Sequence, residues 1–337
     1  MNYPVILFYK YVEITDADIF SGRQRALCEA LGLKGRILIA SEGINGTLAG
    51  PAENVNRYVA ALHADPRFRD IEIKRSPGDA GTFPRLVVKV RREIVTLNAG
   101  TIPPDHGNHL TPREWKDLME QDRDVVLLDI RNRYESAAGK FENAVTCDIE
   151  HFRELPDYVD RLQDLKEKRV LMYCTGGIRC EKASTLFRRK GFKSIFQLHG
   201  GIAAYQEQFG NEHWQGECFV FDQRMTVRVE EGLVQIGRCA HTGRETSRFV
   251  NCLHDPCHKL FILSDEAEAE NPNHRLCPEC LEAGIRFETA EYQSVLTPPM
   301  RPADHPSDAL SEAQPGGRFS LKAAMPSLDS GDSRASM

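Results

Sequence analysis

The chain has 337 residues, enough for about two domains at roughly 150 residues each. Hydrophobic residues make up 41% and charged residues 27%, a globular balance that excludes wholesale disorder, collagen and coiled coil. Forty-three basic side chains against 49 acidic ones give a net charge of −6, so bulk charge announces no nucleic-acid partner. Ten cysteines stand in a chain too long for a small disulfide scaffold. Met1–Lys10 has no basic n-region and too short an apolar run for a signal peptide. No stretch approaches the roughly 18 consecutive apolar residues of a membrane helix. These features predict a reducing cytoplasm, no membrane segment, and cysteines that act as thiols or metal ligands.

Residues 1–100 read as a small α/β unit. Val5–Val12 predicts a strand. Asp16–Leu31 predicts a helix, with Ile19, Arg23, Ala26, Leu27, Ala30 and Leu31 at helical spacing, Thr15 or Asp16 as N-cap, and Gly32 just past its end. Arg36–Ser41 reads as a strand running into Glu42-Gly43-Ile44-Asn45-Gly46-Thr47, a turn because Gly and Asn tolerate positive φ. Pro51–His63 predicts a second helix, and Ile71–Arg75 and Leu86–Val95 two more strands. The order β-α-β-β-α-β predicts an N-terminal ferredoxin-like (acylphosphatase-like) α+β domain.

The Pro- and Gly-containing link Gly100–Asn108 leads to a second unit, residues 110–215. Thr111-Pro112-Arg113-Glu114 reads as a helix start. Val125–Ile130, Ala144–Asp148, Val170–Cys174 and Ser194–Leu198 are buried-type strands, and Pro156–Leu165, Cys180–Lys190 and Ile202–Phe209 are helices. This alternation predicts a parallel sheet covered on both faces. A Cys-rich appendix follows at 216–290, and 296–337 reads as a disordered tail with no packed core.

The segment Val170-Leu171-Met172-Tyr173-Cys174-Thr175-Gly176-Gly177-Ile178-Arg179-Cys180 carries the chemistry. A buried strand ends at Cys174, and a glycine-containing loop opens a helix. Backbone N–H groups and the positive helix end then point at the Cys174 sulfur. A cysteine so placed can fall from a pKa of about 8.5 to roughly 3.5–7.5, which makes it a candidate nucleophile. Gly176 and Gly177 leave room for an anion cradle, and Arg179 is placed to close its rim. Cys180 is either a small core residue or a resolving thiol that reaches Cys174 after a loop rearrangement.

Four residues, Thr175 to Ile178, separate Cys174 from Arg179. Cysteine phosphatases use five there, and the shorter loop resembles that of rhodaneses. Leu127-Leu128-Asp129-Ile130-Arg131-Asn132-Arg133-Tyr134-Glu135 resembles the rhodanese Asp-x-Arg…Glu motif, in which Asp129 and Arg131 would brace the active loop. Gly139–Ala144 and Leu198-His199-Gly200-Gly201-Ile202 resemble further rhodanese turns. The Ser41–Thr47 turn, the Asp148…His151-Phe152-Arg153-Glu154 segment, the Cys174 loop and the Cys-rich end occur together. Jointly they resemble the oxygen-dependent tRNA uridine(34) hydroxylases, a rhodanese-containing family, over about residues 1–285.

That resemblance implies hydroxylation of carbon-5 of the wobble uridine of tRNA, molecular oxygen as co-substrate, and Cys174 as the essential residue. Sulfur transfer through a Cys174 persulfide is the alternative, and a tRNA-binding module the third reading. No Gly-x-Gly-x-x-Gly and no facial triad names an organic cofactor. Oligomeric state stays open.

Charge runs are compatible with tRNA. Arg67–Glu93 holds eight bases against four acids, and Arg161–Lys193 ten against three. Each reads either as a phosphate-binding field or as a solvated face. Asn45 or Thr47 would touch RNA or belong to a plain hairpin turn, and Phe152 and Arg153 would line the substrate cleft.

Cys252…Cys257 and Cys277…Cys280 form two pairs suited to one structural zinc. The family resemblance implies a further Cys-x-x-Cys where this chain has Cys239-Ala240-His241-Thr242, so Thr242 replaces a cysteine and His241 is a possible substitute. Cys28, Cys147, Cys218 and Cys239 have no assigned role.

Overall fold

The structure is a computed structural model that describes residues 3–100, 102–104, 107–122 and 124–287. The expected tail at 296–337 lies outside the described residues. The N-terminal unit comprises β1 (Val5–Tyr11), α1 (Ala17–Ala30), β2 (Lys34–Ala40), β3 (Gly43–Ala49), α2 (Ala52–Ala64), β4 (Ile73–Ser76) and β5 (Leu86–Val90). Its sheet runs β4-β1-β3-β2-β5, the ferredoxin-like order extended by β5 parallel to β2. Ile6 and Phe8 of β1 pack with Phe20 of α1 and Val55, Tyr58 and Leu62 of α2.

The segment read as a turn is mostly strand. Gly43–Ala49 forms β3, paired antiparallel with both β1 and β2, and only Ser41 and Glu42 make the turn. Gly46 serves packing: a Cβ there would lie 2.3 Å from the Phe8 ring. Asn45 donates its Nδ2–H to Ile94 O at 2.9 Å, so its amide is committed to the fold.

The second unit begins with β6 (His109–Leu110) and α3 (Pro112–Gln121). Thr111 caps α3 in a reciprocal capping box with Glu114. Next come β7 (Val125–Asp129), α4 (Arg133–Ala138), β8 (Gly139–Phe141), β9 (Val145–Thr146), α5 (Leu155–Tyr158), β10 (Arg169–Tyr173), α6 (Ile178–Arg189), β11 (Ser194–Leu198), α7 (Gly201–Phe209) and β12 (Trp214–Gly216). The parallel sheet runs β6-β11-β10-β7-β9, and β8 pairs separately with β12. The helix expected at 156–165 is broken. Only α5 is α-helical, flanked by 3₁₀ turns at Phe152–Glu154, Val159–Arg161 and Gln163–Leu165. Leu155, Val159 and Leu162 still reach the core, a spacing that a continuous helix would also show.

The Cys-rich part comprises β13 (Cys218–Phe219), β14 (Thr226–Val227), β15 (Phe249–Asn251), β16 (Leu260–Ile262), α8 (Asp265–Glu270) and α9 (Pro278–Glu282). Two antiparallel ribbons, β13–β14 and β15–β16, carry it.

The end of β7 is anchored by a buried ion pair. Arg131 donates to Asp129 through its backbone N–H at 3.0 Å, Nε at 2.9 Å and Nη2 at 2.6 Å, and both side chains are fully buried. Arg131 Nη2 also donates to Gly139 O at 2.6 Å, and Ser136 Oγ to Asp129 Oδ2 at 3.0 Å. Removing one member of such a pair leaves the other charged and unpaired. Arg131→Met is therefore expected to lower the unfolding free energy by about 3 kcal/mol or more, read from urea denaturation. A loss below about 0.5 kcal/mol would show that the pair carries no stability.

Candidate active site

β10 alternates its side chains between the two faces of the parallel sheet. Leu171 and Tyr173 join the core beside Trp115, Ile202 and Tyr205. Val170 and Met172 join the opposite core with Ala183, Leu186 and Phe187 of α6. Cys174 continues the second set by parity and is fully buried.

The loop then closes over its own sulfur. Gly177 donates its N–H to Cys174 Sγ at 3.2 Å, and the N–H groups of Arg179 and Cys180 also donate to it. Gly177 has φ 101°, and a Cβ there would lie 2.8 Å from Tyr9 Oη, so both backbone and space call for glycine. Burial pushes the Cys174 thiol up. The Cys180 thiol, the Arg179 guanidinium and the two backbone N–H groups outweigh it and bring Cys174 down to about 5. Burial and the neighbouring Cys174 sulfur push Cys180 well above the usual thiol range.

Cys180 lies in the first turn of α6, fully buried in the same core as Cys174. Its N–H donates to Gly177 O at 3.0 Å, which ties it to the loop that closes over the Cys174 sulfur. Arg179 is also not an open rim. It is buried, and its guanidinium grips Glu135 at 2.5 and 2.8 Å and Thr175 Oγ1 at 3.3 Å. Glu135 is fully buried and accepts from Asn132 N–H at 3.1 Å at the start of α4. Asp129 and Arg131 thus act at one remove: they fix the turn that carries Glu135, which fixes Arg179. Phe152 is buried in the core that holds Cys174.

Sequence reasoning missed the contribution of the N-terminal sheet. The face of β1 opposite its own core presents Leu7, Tyr9 and Tyr11, and Leu7 lies against Gly176. Tyr9 Oη donates to Glu181 Oε1 at 3.3 Å, and Tyr11 Oη to Ile178 O at 3.2 Å. Lys74 Nζ on β4 donates to Gly176 O at 3.2 Å. Lys182, 1% exposed, pairs with Glu42 at 2.8 Å and Glu93 at 2.6 Å. The available signal was the unbroken apolar run of Val5–Tyr9, which suits a strand buried on both faces.

The ten bases of Arg161–Lys193 do not form one free field. Arg169 pairs with Asp122, Arg179 with Glu135, Lys182 with Glu42 and Glu93, Lys190 with Asp160, and Lys193 with Glu167.

At the Cys-rich end the ligand atoms of Cys252, Cys257, Cys277 and Cys280 all lie within 4.8 Å of one another. Cys252–Cys280 and Cys257–Cys277 sulfurs are 3.8 and 3.7 Å apart. Four sulfurs at about 2.3 Å from a tetrahedral ion stand roughly 3.8 Å apart, so the four thiols can hold a metal ion. His241 is not among them: its Nε2 faces His274 O and Leu276 O at 3.0 and 2.9 Å. Cys239 interacts with Thr242 instead. Burial pushes Cys28 up to about 12, Cys218 up to about 11, and Cys147 above the usual thiol range.

Three family models match the chain: a UPF0176 acylphosphatase-like domain at residues 3–94, a rhodanese-like domain at 111–208, and a rhodanese C-terminal segment at 215–281. A tRNA uridine(34) hydroxylase of Bacillus velezensis is 43% identical, covering 79% of this chain and 85% of the relative. The chain belongs to the tRNA uridine(34) hydroxylase family. Two further hydroxylases of the same name come from Staphylococcus aureus, 41% identical over 80% of this chain and 87% of the relative, and Cytophaga hutchinsonii, 42% identical over 77% and 83%. In this member of the tRNA uridine(34) hydroxylases, Thr175-Gly176-Gly177-Ile178-Arg179 is the loop that wraps the Cys174 sulfur.

The folded chain favours the charged form of Cys174. Its contribution to stability is complete above the ordinary thiol value of 9.0 and is lost as pH falls through about 5. The thiolate absorbance of wild type minus Cys174→Ser is expected to inflect near about 5. An inflection near 9.0 would mean that burial, not the cradle, governs this sulfur.

Proposed function

We propose that the chain hydroxylates carbon-5 of the wobble uridine, position 34, of tRNA, with molecular oxygen as co-substrate and Cys174 as nucleophile. The observation that carries the reading is a fully buried Cys174 sulfur that accepts the Gly177 N–H at 3.2 Å, in a chain of this family. The Cys174 sulfur adds to carbon-6 of uracil, and the electron pair moves through carbon-5 to the carbonyl oxygen at carbon-4. Carbon-5 thereby becomes nucleophilic toward oxygen. Carbon-5 bonds to oxygen as a peroxide, a two-electron reductant breaks the O–O bond and takes the outer oxygen to the level of water, and loss of the carbon-5 proton and of the sulfur from carbon-6 restores the ring. Arg179 is a positioning residue: it holds positive charge beside the sulfur while Glu135 fixes its geometry. Asp129 and Arg131 support that arrangement, and Gly176 and Gly177 keep side chains out of the cradle.

Residues 1–100, 110–215 and 216–290 are assigned as the ferredoxin-like domain, the catalytic rhodanese-like domain and the Cys-rich region. The substrate and the reduced thiols suit a cytoplasmic location. Among the described residues no helix is long and apolar enough to cross a membrane.

Nucleoside mass spectrometry of tRNA from cells lacking the gene tests the function. Wild type is expected to restore 5-hydroxyuridine and its derivatives, and Cys174→Ser is not. Full restoration by Cys174→Ser would reject Cys174 as the nucleophile. Unchanged modification in the deletion, with thiosulfate-dependent thiocyanate formation by the protein, would favour sulfur transfer.

Cys252, Cys257, Cys277 and Cys280 are assigned to one structural zinc, closed by four sulfurs with no open position for a substrate. Metal analysis is expected to find about one zinc per chain, lost in Cys277→Ser together with resistance of residues 216–287 to limited proteolysis. Unchanged metal content in that variant would refute the assignment.

A further inference from the structure

Only one atom of molecular oxygen enters the nucleoside in this hydroxylation. The other must leave at the oxidation level of water, which requires two electrons. We infer that Cys174 and Cys180 supply them, closing to a disulfide in each turnover. The inference rests on the hydroxylase reading above and names its electron source.

Cys180 lies in the first turn of α6, fully buried; its N–H donates to Gly177 O at 3.0 Å, and the Gly177 N–H donates to the Cys174 sulfur at 3.2 Å. The two residues share one core cluster, away from bulk water. The cradle favours the charged form of Cys174, whereas burial favours the protonated thiol of Cys180. Cys147 belongs to the same core but follows β9, two strands away from β10 in the sheet, with its N–H on Asp129 O at 3.2 Å.

The steps balance. The Cys174 thiolate adds to carbon-6, and carbon-5 bonds to oxygen as a peroxide anion. The Cys180 thiol protonates the peroxide, and its sulfur takes the outer oxygen as the O–O bond breaks. This leaves Cys180 as a sulfenic acid and carbon-5 with an alkoxide. The carbon-5 proton then moves to that oxygen as the Cys174 thiolate leaves carbon-6, giving 5-hydroxyuridine. Cys174 next attacks the Cys180 sulfur, and hydroxide departs with the charge that Cys174 carried at the outset. Uridine, oxygen, one thiolate and one thiol become 5-hydroxyuridine, a disulfide and hydroxide. An external dithiol resets the pair by thiol–disulfide exchange.

The test uses the full chain, reduced, freed of reductant, and given unmodified tRNA in air-saturated buffer. Wild type is expected to form about one 5-hydroxyuridine per chain and stop, with a Cys174–Cys180 disulfide peptide in equal yield. Dithiothreitol is expected to restart turnover. Cys180→Ser is expected to give no product until a thiol is added, whereas Cys147→Ala behaves as wild type. Product from wild type without the disulfide, or an equal reductant-free yield from Cys180→Ser, overturns the inference. Should Cys180→Ser fail to fold, peptide mapping of wild type alone decides. If wild type makes no 5-hydroxyuridine even with dithiothreitol, the hydroxylase reading fails and the electron source falls with it. Product that forms only with dithiothreitol overturns the electron source alone.

Discussion

A negative sulfur held away from water is the constraint on which the rest of the site depends. A buried charge is tolerated only when neighbours replace the hydration it has lost. Loop amides supply part of that replacement at Cys174, and Arg179 supplies the compensating charge. Arg179 is itself buried and needs Glu135, whose placement needs the turn after β7. That turn is held by Asp129 and Arg131, again a buried pair. Asp129, Arg131, Asn132, Glu135 and Ser136 are buried for this reason, although the residue types alone suggest a surface loop.

The cradle was legible because it is local. A strand, a glycine pair and a helix start lie in one run of sequence, and their geometry follows from backbone physics. The partners were less legible because they are distant in sequence: Arg179 and Glu135 lie 44 positions apart. A basic run shows charge but not its pairing, which is why the field around Arg161–Lys193 is weaker than its count implies. The Glu42–Thr47 segment misled for another reason. Glycine marks a turn when it supplies a backbone conformation, but Gly46 is there because a ring lies over it. The two cysteine pairs come together in the fold, with their four sulfurs within 4.8 Å of one another. The wider Cys252–Cys257 interval closes through a turn in which Cys257 N–H donates to His254 O at 2.8 Å.

The ferredoxin-like unit contributes to the site as well as standing beside it. Tyr9, Tyr11 and Lys74 reach the loop and the first turn of α6, and the carboxylates of Glu42 and Glu93 hold a buried lysine on the same helix. These contacts keep the loop in a low-dielectric setting, where each hydrogen bond to the sulfur counts for more than it would in water.

One strand has no free side. Ile6 and Phe8 of β1 are answerable to the core of their own domain, while Leu7, Tyr9 and Tyr11 are answerable to the loop and helix of the other. A surface strand can drift in sequence on its wet face, but β1 is read at both parities by different partners. A change at Leu7, Tyr9 or Tyr11 spares the core around Ile6 and Phe8 and is felt across the junction. The two domains can therefore diverge from their separate relatives only in step, with β1 as the stretch of chain where each limits the other.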